Sequence, residues 1–331
     1  MRTKQRTWAI VLAAGEGTRL SSLTTDASGR SIPKQFCSLD GGHSLLEVAI
    51  QRARRIVPRE RLCVIVAEQH RRYWQRTLWT LPASNTIVQP QNRGTANGIL
   101  LATLSILERD PLARIVFLPA DHYVKDERTL AVSLREAVTS LTRNPYRVSL
   151  VGIAPEEADP ELGYIVPGAE LPDGTCGVAR FVEKPEQALA RQLLASGALW
   201  NSFIFAASGP TLLGLIRDRM PEVVDRMATA IARDASATRG ENSLAKLYEE
   251  LPAVDFSRAI MQGAETALRV VAAPACGWSD LGTPKRVAET LRQLAQEQLE
   301  RIPPRQRMSA FVNAPAFINL AAQHARLSLA G

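Results

Sequence analysis

Two glycines, an arginine and a lysine pose the first chemical question. The apolar run Trp8-Ala9-Ile10-Val11-Leu12-Ala13-Ala14 empties into Gly15-Glu16-Gly17-Thr18-Arg19-Leu20, and a polar linker then leads to Pro33-Lys34-Gln35-Phe36. A loop of small residues lets backbone N–H groups close around a phosphate, because glycine has no Cβ to block the approach. Arg19 and Lys34 would add fixed positive charge. A tight strand-to-helix turn explains the glycines equally well, and the loop alone leaves both readings open. Two familiar phosphate loops are excluded, since Leu20 stands where a P-loop or a dinucleotide fingerprint needs its next glycine.

Three further groups carry potential chemistry. Asp121 ends Ile115-Val116-Phe117-Leu118-Pro119-Ala120-Asp121, and a carboxylate at the carboxyl end of a buried strand suits a magnesium ion or, equally, a helix cap. Asp280 lies in Gly277-Trp278-Ser279-Asp280-Leu281-Gly282, whose small residues leave room for a ligand near the backbone and also describe a plain turn. Gln89, then Asn92-Arg93-Gly94-Thr95, precede a helix-like segment. Their backbone and amide groups suit a base edge and the helix start suits an anion, with a loop and N-cap as the bland alternative.

These residues need a scaffold that brings them together. Leu62–Ala67, Thr86–Val88 and Arg114–Leu118 read as buried strands alternating with amphipathic helices. Ser44 caps one helix with Leu45, Leu46, Ala49, Ile50, Ala53 and Ile56 along its stripe; others begin near Thr95 and after Asp126. Such alternation predicts an α/β fold, a Rossmann-like and mostly parallel sheet sandwiched by helices, with ligands beyond the carboxyl ends of its strands. Short strands around Ile165, Val178–Val182 and Phe203–Ala206 read as a smaller, mixed β substrate-side region. The uncharged span 192–216 contains Asn201 and Pro210 and reads as a strand between helices rather than a membrane span. From Pro284 the pattern is helical until Pro303-Pro304. The expected division is a domain over 1–284 and a helical C-terminal extension over 285–331. The tail after Met308 is apolar enough to pack on the core or on a second subunit, which leaves a homodimer open.

Composition narrows the class. Forty basic and thirty-three acidic residues give a net charge of +7 over 331 residues, without a long basic run. That favours attraction of small anionic substrates over nucleic-acid binding. Cys37, Cys63, Cys176 and Cys276 lie far apart, with neither zinc-site nor disulfide spacing, so a reducing cytoplasm is expected. The basic start before a short apolar run does not read as a signal peptide, because the run leads straight into the glycine loop.

The chain resembles the sugar-1-phosphate nucleotidyltransferases, and within them the mannose-1-phosphate guanylyltransferases. The likeness rests on Leu12-Ala13-Ala14-Gly15-Glu16-Gly17-Thr18-Arg19-Leu20 with Pro33-Lys34-Gln35-Phe36, and extends through separate motifs to about Lys285. It implies nucleotide binding by Leu12, Ala13, Ala14, Gly15, Gly17, Thr18, Gln89, Gly94 and Thr95, and catalytic roles for Arg19 and Lys34. Asp121 and Asp280 would hold Mg2+. Gly163, Glu183, Lys184 and Asn201 would bind the sugar phosphate. Several positions depart from the family pattern. Ala14-Gly15 replaces Gly-Gly, the segment between Arg19 and Lys34 is longer, Phe203 replaces the glycine after Trp-Asn-Ser, and Met261-Gln262-Gly263 replaces Met-Glu-Lys.

The expected reaction joins mannose 1-phosphate to GTP, giving GDP-mannose and pyrophosphate, with only small-molecule partners and neither nucleic acid nor membrane. Uridylyl, thymidylyl or cytidylyl transfer to glucose 1-phosphate is the nearest rival. A non-catalytic nucleotide-sugar-binding relative is a second, from a different class.

Overall fold

The run that opens the chain becomes the axis of the molecule because its residues are apolar on both sides. A computed structural model describes residues 6–17, 20–21, 23–25, 31–236 and 242–301. In it, β1 (Thr7–Ala13) alternates between two cores. Trp8 and Ile10 face one, and Ala9, Val11 and Ala13 the other. This period-two alternation is what a strand covered on both faces requires.

β1 is flanked by β2 (Leu62–Ala67) and β4 (Arg114–Pro119), with β3 (Thr86–Gln89) outside β2, all parallel. The order across the sheet is β3-β2-β1-β4-β9-β6-β10-β8-β7, where β6 is Val148–Ile153, β7 Tyr164–Glu170, β8 Cys176–Val182, β9 Leu199–Ser208 and β10 Leu268–Ala273. The prediction of a mostly parallel sheet holds for one half only. β9 runs antiparallel to both β4 and β6, and β8 runs antiparallel to β10 and β7. The expected separate substrate-side region is therefore the other half of one mixed sheet. β6 and β10, absent from the sequence reading, pair parallel to each other inside that other half, and β9 joins it to β4.

Helices cover both faces. On one lie α3 (Gly94–Leu107), α6 (Gly209–Arg219), α7 (Pro221–Ser236) and α8 (Ser243–Glu250), burying Ile99, Leu212, Met227 and Tyr248. On the other lie α1 (Leu45–Arg54), α2 (Arg71–Leu78), α4 (Glu127–Arg143) and α5 (Gln187–Ala195), burying Leu46, Trp74, Leu134 and Leu193. α1 starts where expected. Ser44 accepts from the Glu47 N–H, and Glu47 reaches back to the Ser44 N–H, a reciprocal cap in which the serine alone is worth about 1 kcal/mol. Asp126 caps α4 through the N–H groups of Arg128 and Thr129.

Two short strands matter more than their length. β5 (Tyr123–Val124) and β11 (Trp278–Ser279) pair antiparallel, with Ser279 opposite Tyr123. α9 (Pro284–Arg301) follows and packs back on the sheet domain, with Leu291 buried, Lys285 paired to Glu157 and Lys125 to Glu297. The described part of the extension is thus continuous with the body it follows. Among the described residues no helix is long and apolar enough to cross a membrane, and all four cysteines are free.

Candidate active site

Parallel strands deliver their C-terminal residues to one edge, and register decides which residues meet there. Leu12 pairs with Pro119, so the loop after β1 and the segment after β4 leave the sheet at the same level. The loop after β3 emerges on the same side. Between them lies a cavity of about 490 Å3, lined by Leu12, Ala14, Gly15, Gly17, Gln89, Gly94, Thr95 and Asp121, all singled out from the sequence. Gln35, His122, Phe203 and the segment 253–255 complete the wall. Ala13, expected among them, is a buried strand residue. Its carbonyl accepts from Gln35 Nε2 at 3.0 Å, and the same amide donates to the Gly15 carbonyl at 2.7 Å. Gln35 therefore shapes the loop, a role the sequence reading did not assign although Pro-Lys-Gln-Phe flagged the residue. Thr18 and Arg19 lie outside the described residues.

Gly17 shows why the loop needs glycine. Its φ is +64°, and a Cβ there would stand 2.9 Å from the Lys34 backbone nitrogen. The loop thus crosses directly over the start of Pro-Lys-Gln-Phe. Lys34 itself is buried, and its ammonium reaches Asp121 Oδ2 at 2.9 Å, the Asp280 carbonyl at 2.6 Å and the Leu281 carbonyl at 3.4 Å. Three oxygens match its three donors. Burial works to raise the Asp121 pKa, but the charge and hydrogen bond of the Lys34 ammonium outweigh it and hold the carboxyl below its usual value. His122 is driven the other way. Burial, joined by the positive charges of Lys34, Arg52 and Arg286, pulls it down to about 3 against the opposing pull of Asp121. Its imidazole is neutral at pH 7, and it packs edge-on against Trp278.

β5 and β11 carry Asp280 to the same corner as Asp121. Their carboxylates point to different partners, however. Asp280 is buried, accepts from the Gly282 N–H, and faces the Arg286 guanidinium, with Nε to Oδ1 at 2.7 Å and Nη2 to Oδ2 at 3.1 Å. Arg286 also pairs with buried Asp159. Asp121 lines the cavity with a side chain 36% exposed, whereas Asp280 is not part of its wall. Among the described residues no group of three or more His, Cys, Asp or Glu side chains is gathered as for a metal. A divalent ion here would draw most of its ligands from water and substrate phosphates, as Mg2+ commonly does.

On the β3 side of the cavity, Gln89 accepts from the Tyr248 hydroxyl at 3.3 Å. The start of α3 is less open to an anion than its sequence implied. Asn92 takes the Gly94 N–H, Val254 takes the Ala96 N–H, and the Thr95 hydroxyl accepts from Phe256 N. The helix end is docked on 252–256, a contact between segments about 160 residues apart in sequence, which no local pattern reveals.

Gly163, Glu183 and Asn201, expected from the resemblance to bind a sugar phosphate, also converge. A Cβ on Gly163 would stand 2.5 Å from Glu183 Oε2 and 3.2 Å from Asn201 Cβ. Asn201 donates to Ser257 Oγ at 3.4 Å. Gln262, one of the departures from the family pattern, accepts the Glu183 N–H at 3.1 Å. Burial and the charge of Asp255 push Glu183 up to about 7, against Lys184, Arg258 and a bond from Ser257. Lys184 is exposed, with φ +47°. Phe203, another departure, keeps the left-handed backbone that glycine favours, with φ +56°, and its N–H is held by Asn201 Oδ1. Its ring meets Phe205 and Phe256 edge-on.

Comparison with known proteins adds an independent line. A family model described as nucleotidyl transferase matches residues 8–297. A protein of Vibrio cholerae named as a putative mannose-1-phosphate guanylyltransferase is 31% identical over 83% of this chain and 58% of its own length. A mannose-1-phosphate guanylyltransferase of Salmonella muenchen is 30% identical over 83% and 57%. The chain thus spans little more than half the length of these curated relatives. A solved structure from Thermus thermophilus, described as a mannose-1-phosphate geranyltransferase, is 28% identical, with a TM-score of 0.72 over 84% of this chain and 76% of that one.

Proposed function

Because the chain belongs to the nucleotidyl transferase family, we propose that it transfers a nucleotidyl group from GTP to mannose 1-phosphate, releasing pyrophosphate. The observation that carries this reading is the cavity at the strand ends, where a glycine loop, an amide-bearing wall and one carboxylate face the same space. The names of the relatives support the choice of base and sugar.

The nucleophile needs little help. A phosphate monoester has a second pKa of about 6 and is largely dianionic at neutral pH. With its pKa pulled down to about 3, His122 is too weak a base to take a proton usefully at pH 7, which is consistent with a site that works without a general base. The difficulty is bringing anions together, and the chain meets it with position and charge. The backbone of Gly15 and Gly17 lies along the phosphates. Gln89 and Thr95 border the base. Lys184, exposed beside the sugar cluster, takes the phosphate of the acceptor, and Glu183 and Asn201 take ring hydroxyls. Arg19 steadies the departing pyrophosphate. Lys34 fixes the Asp121 carboxylate and offsets its charge. Asp121 fits a hard cation, being an oxygen donor on the cavity wall, and Mg2+ held there would neutralise charge on the triphosphate.

The test is pyrophosphate release from a panel of NTPs and sugar 1-phosphates. GTP with mannose 1-phosphate should give the highest rate, and Asp121→Asn should lower it by about 100-fold or more. Absence of release from every pair would overturn the proposal.

A further inference from the structure

Asp121 and Asp280 meet at one corner, yet each already has its own cation. Lys34 holds Asp121, and Arg286 holds Asp280 through both carboxylate oxygens. We infer that only Asp121 serves as a cation ligand in this chain, and that Asp280 is a positioning residue whose carboxylate is committed to the buried guanidinium of Arg286. This rests on the nucleotidyl-transfer reading for its context but not for its test.

Three observations support the assignment. First, the guanidinium is itself locked, because Asp159 grips it from the other side and all three groups are buried. A planar guanidinium gripped by two carboxylates does not swing away to release one of them without leaving a buried charge unpaired. Second, the space beside the pair is filled. A Cβ on Gly282 would lie on the Asp280 carboxylate and 2.9 Å from Arg286 Nη2, so any side chain there would have to displace the ion pair. Third, it is the backbone of Asp280 that faces the site. Its carbonyl and that of Leu281 accept from the Lys34 ammonium, with Leu281 in the left-handed conformation at φ +49°. A bulky residue keeps that conformation only where its surroundings over-determine it. The Asp159–Arg286–Asp280 triad therefore fixes the turn, the turn aims two carbonyls at Lys34, and Lys34 sets the Asp121 carboxylate.

The experiment uses Mn2+ alone, without nucleotide, so that failure of the functional reading leaves the result standing. Binding of Mn2+ to the full chain is followed by loss of the free-ion EPR signal, with thermal melting to confirm that each variant folds. Asp121→Asn, which removes a ligand, should weaken binding at least about tenfold more than Asp280→Asn, which keeps an oxygen for Arg286 and reaches the site only through the turn. Equal losses in the two variants would overturn the inference, and so would absence of Mn2+ binding by the wild type. If Asp280→Asn does not fold, anomalous scattering from Mn2+ in crystals of the wild type decides. A peak on Asp121 alone, with Asp280 still on Arg286, supports the assignment, and one at ligand distance from both carboxylates refutes it.

Discussion

Glu183 sits among Gly163, Asn201, Ser257 and Asp255, where burial and a neighbouring negative charge favour its protonated form up to about pH 7. Its ordinary value is 4.5. Between these values the folded state holds a proton that the unfolded chain has released. Stability from this group is therefore complete below about pH 4.5 and is lost as pH rises to about 7. Glu183→Gln removes the titration, so its melting temperature should fall less steeply across that window than the wild type's, and parallel melting curves would contradict the assignment. The same protonation bears on binding. The ionised carboxylate is the better acceptor for a sugar hydroxyl, so KM for the sugar phosphate should rise as pH drops below 7, and this rise should be smaller in Glu183→Gln.

At the scale of elements, two glycines separate folding from binding. Gly94 opens α3 with φ +80°, and a Cβ there would collide with the Val254 backbone. Gly94→Ala should undock the helix start from 252–256 and cost about 2–3 kcal/mol in denaturant unfolding. Gly15 has nothing within 4 Å of an added Cβ and faces the cavity. Gly15→Ala should leave unfolding unchanged within about 0.5 kcal/mol and act on nucleotide affinity alone, by keeping phosphate from the backbone. The contrast also marks what the sequence could and could not reveal. Apolar runs such as Leu62–Ala67 and the Ser44 cap are local patterns, and both appear as predicted. Motif residues brought together by parallel strands, such as Gly15 and Asp121, could be placed at one edge from the β-α alternation alone. β6 and β10 are apolar runs of the same kind as Leu62–Ala67 that were not singled out as strands, and β9 runs antiparallel between β4 and β6, so the halves of the sheet merge where separate regions were expected. In the sequence Arg286 is an unremarked charge in the helical segment that begins at Pro284. Only the fold shows that it turns inward to Asp159 and Asp280.

At the scale of the whole molecule, the cavity belongs to neither half of the sheet. β1, β3 and β4 supply the loop side, while Phe203 on β9 and the segment 253–255 close the wall from the antiparallel half. A ligand there contacts both cores through their strand ends, so its binding energy should appear as global stability rather than as local ordering. A ligand at 100 times its Kd stabilises the folded state by about 2.7 kcal/mol. For a chain of this size about 1 kcal/mol corresponds to roughly 2 °C, so saturating GTP with Mg2+ should raise the melting temperature by about 5 °C. UTP, dTTP and CTP at the same concentration should raise it less if Gln89 and the wall beside it discriminate the base. Hydrogen exchange supplies the spatial check. Protection on GTP binding should increase in β9 as well as in β1 and β4, because both sides of the cavity close on one ligand. Protection confined to the glycine loop, with β9 unchanged, would mean that the nucleotide uses the parallel half alone and that Phe203 stands outside its site.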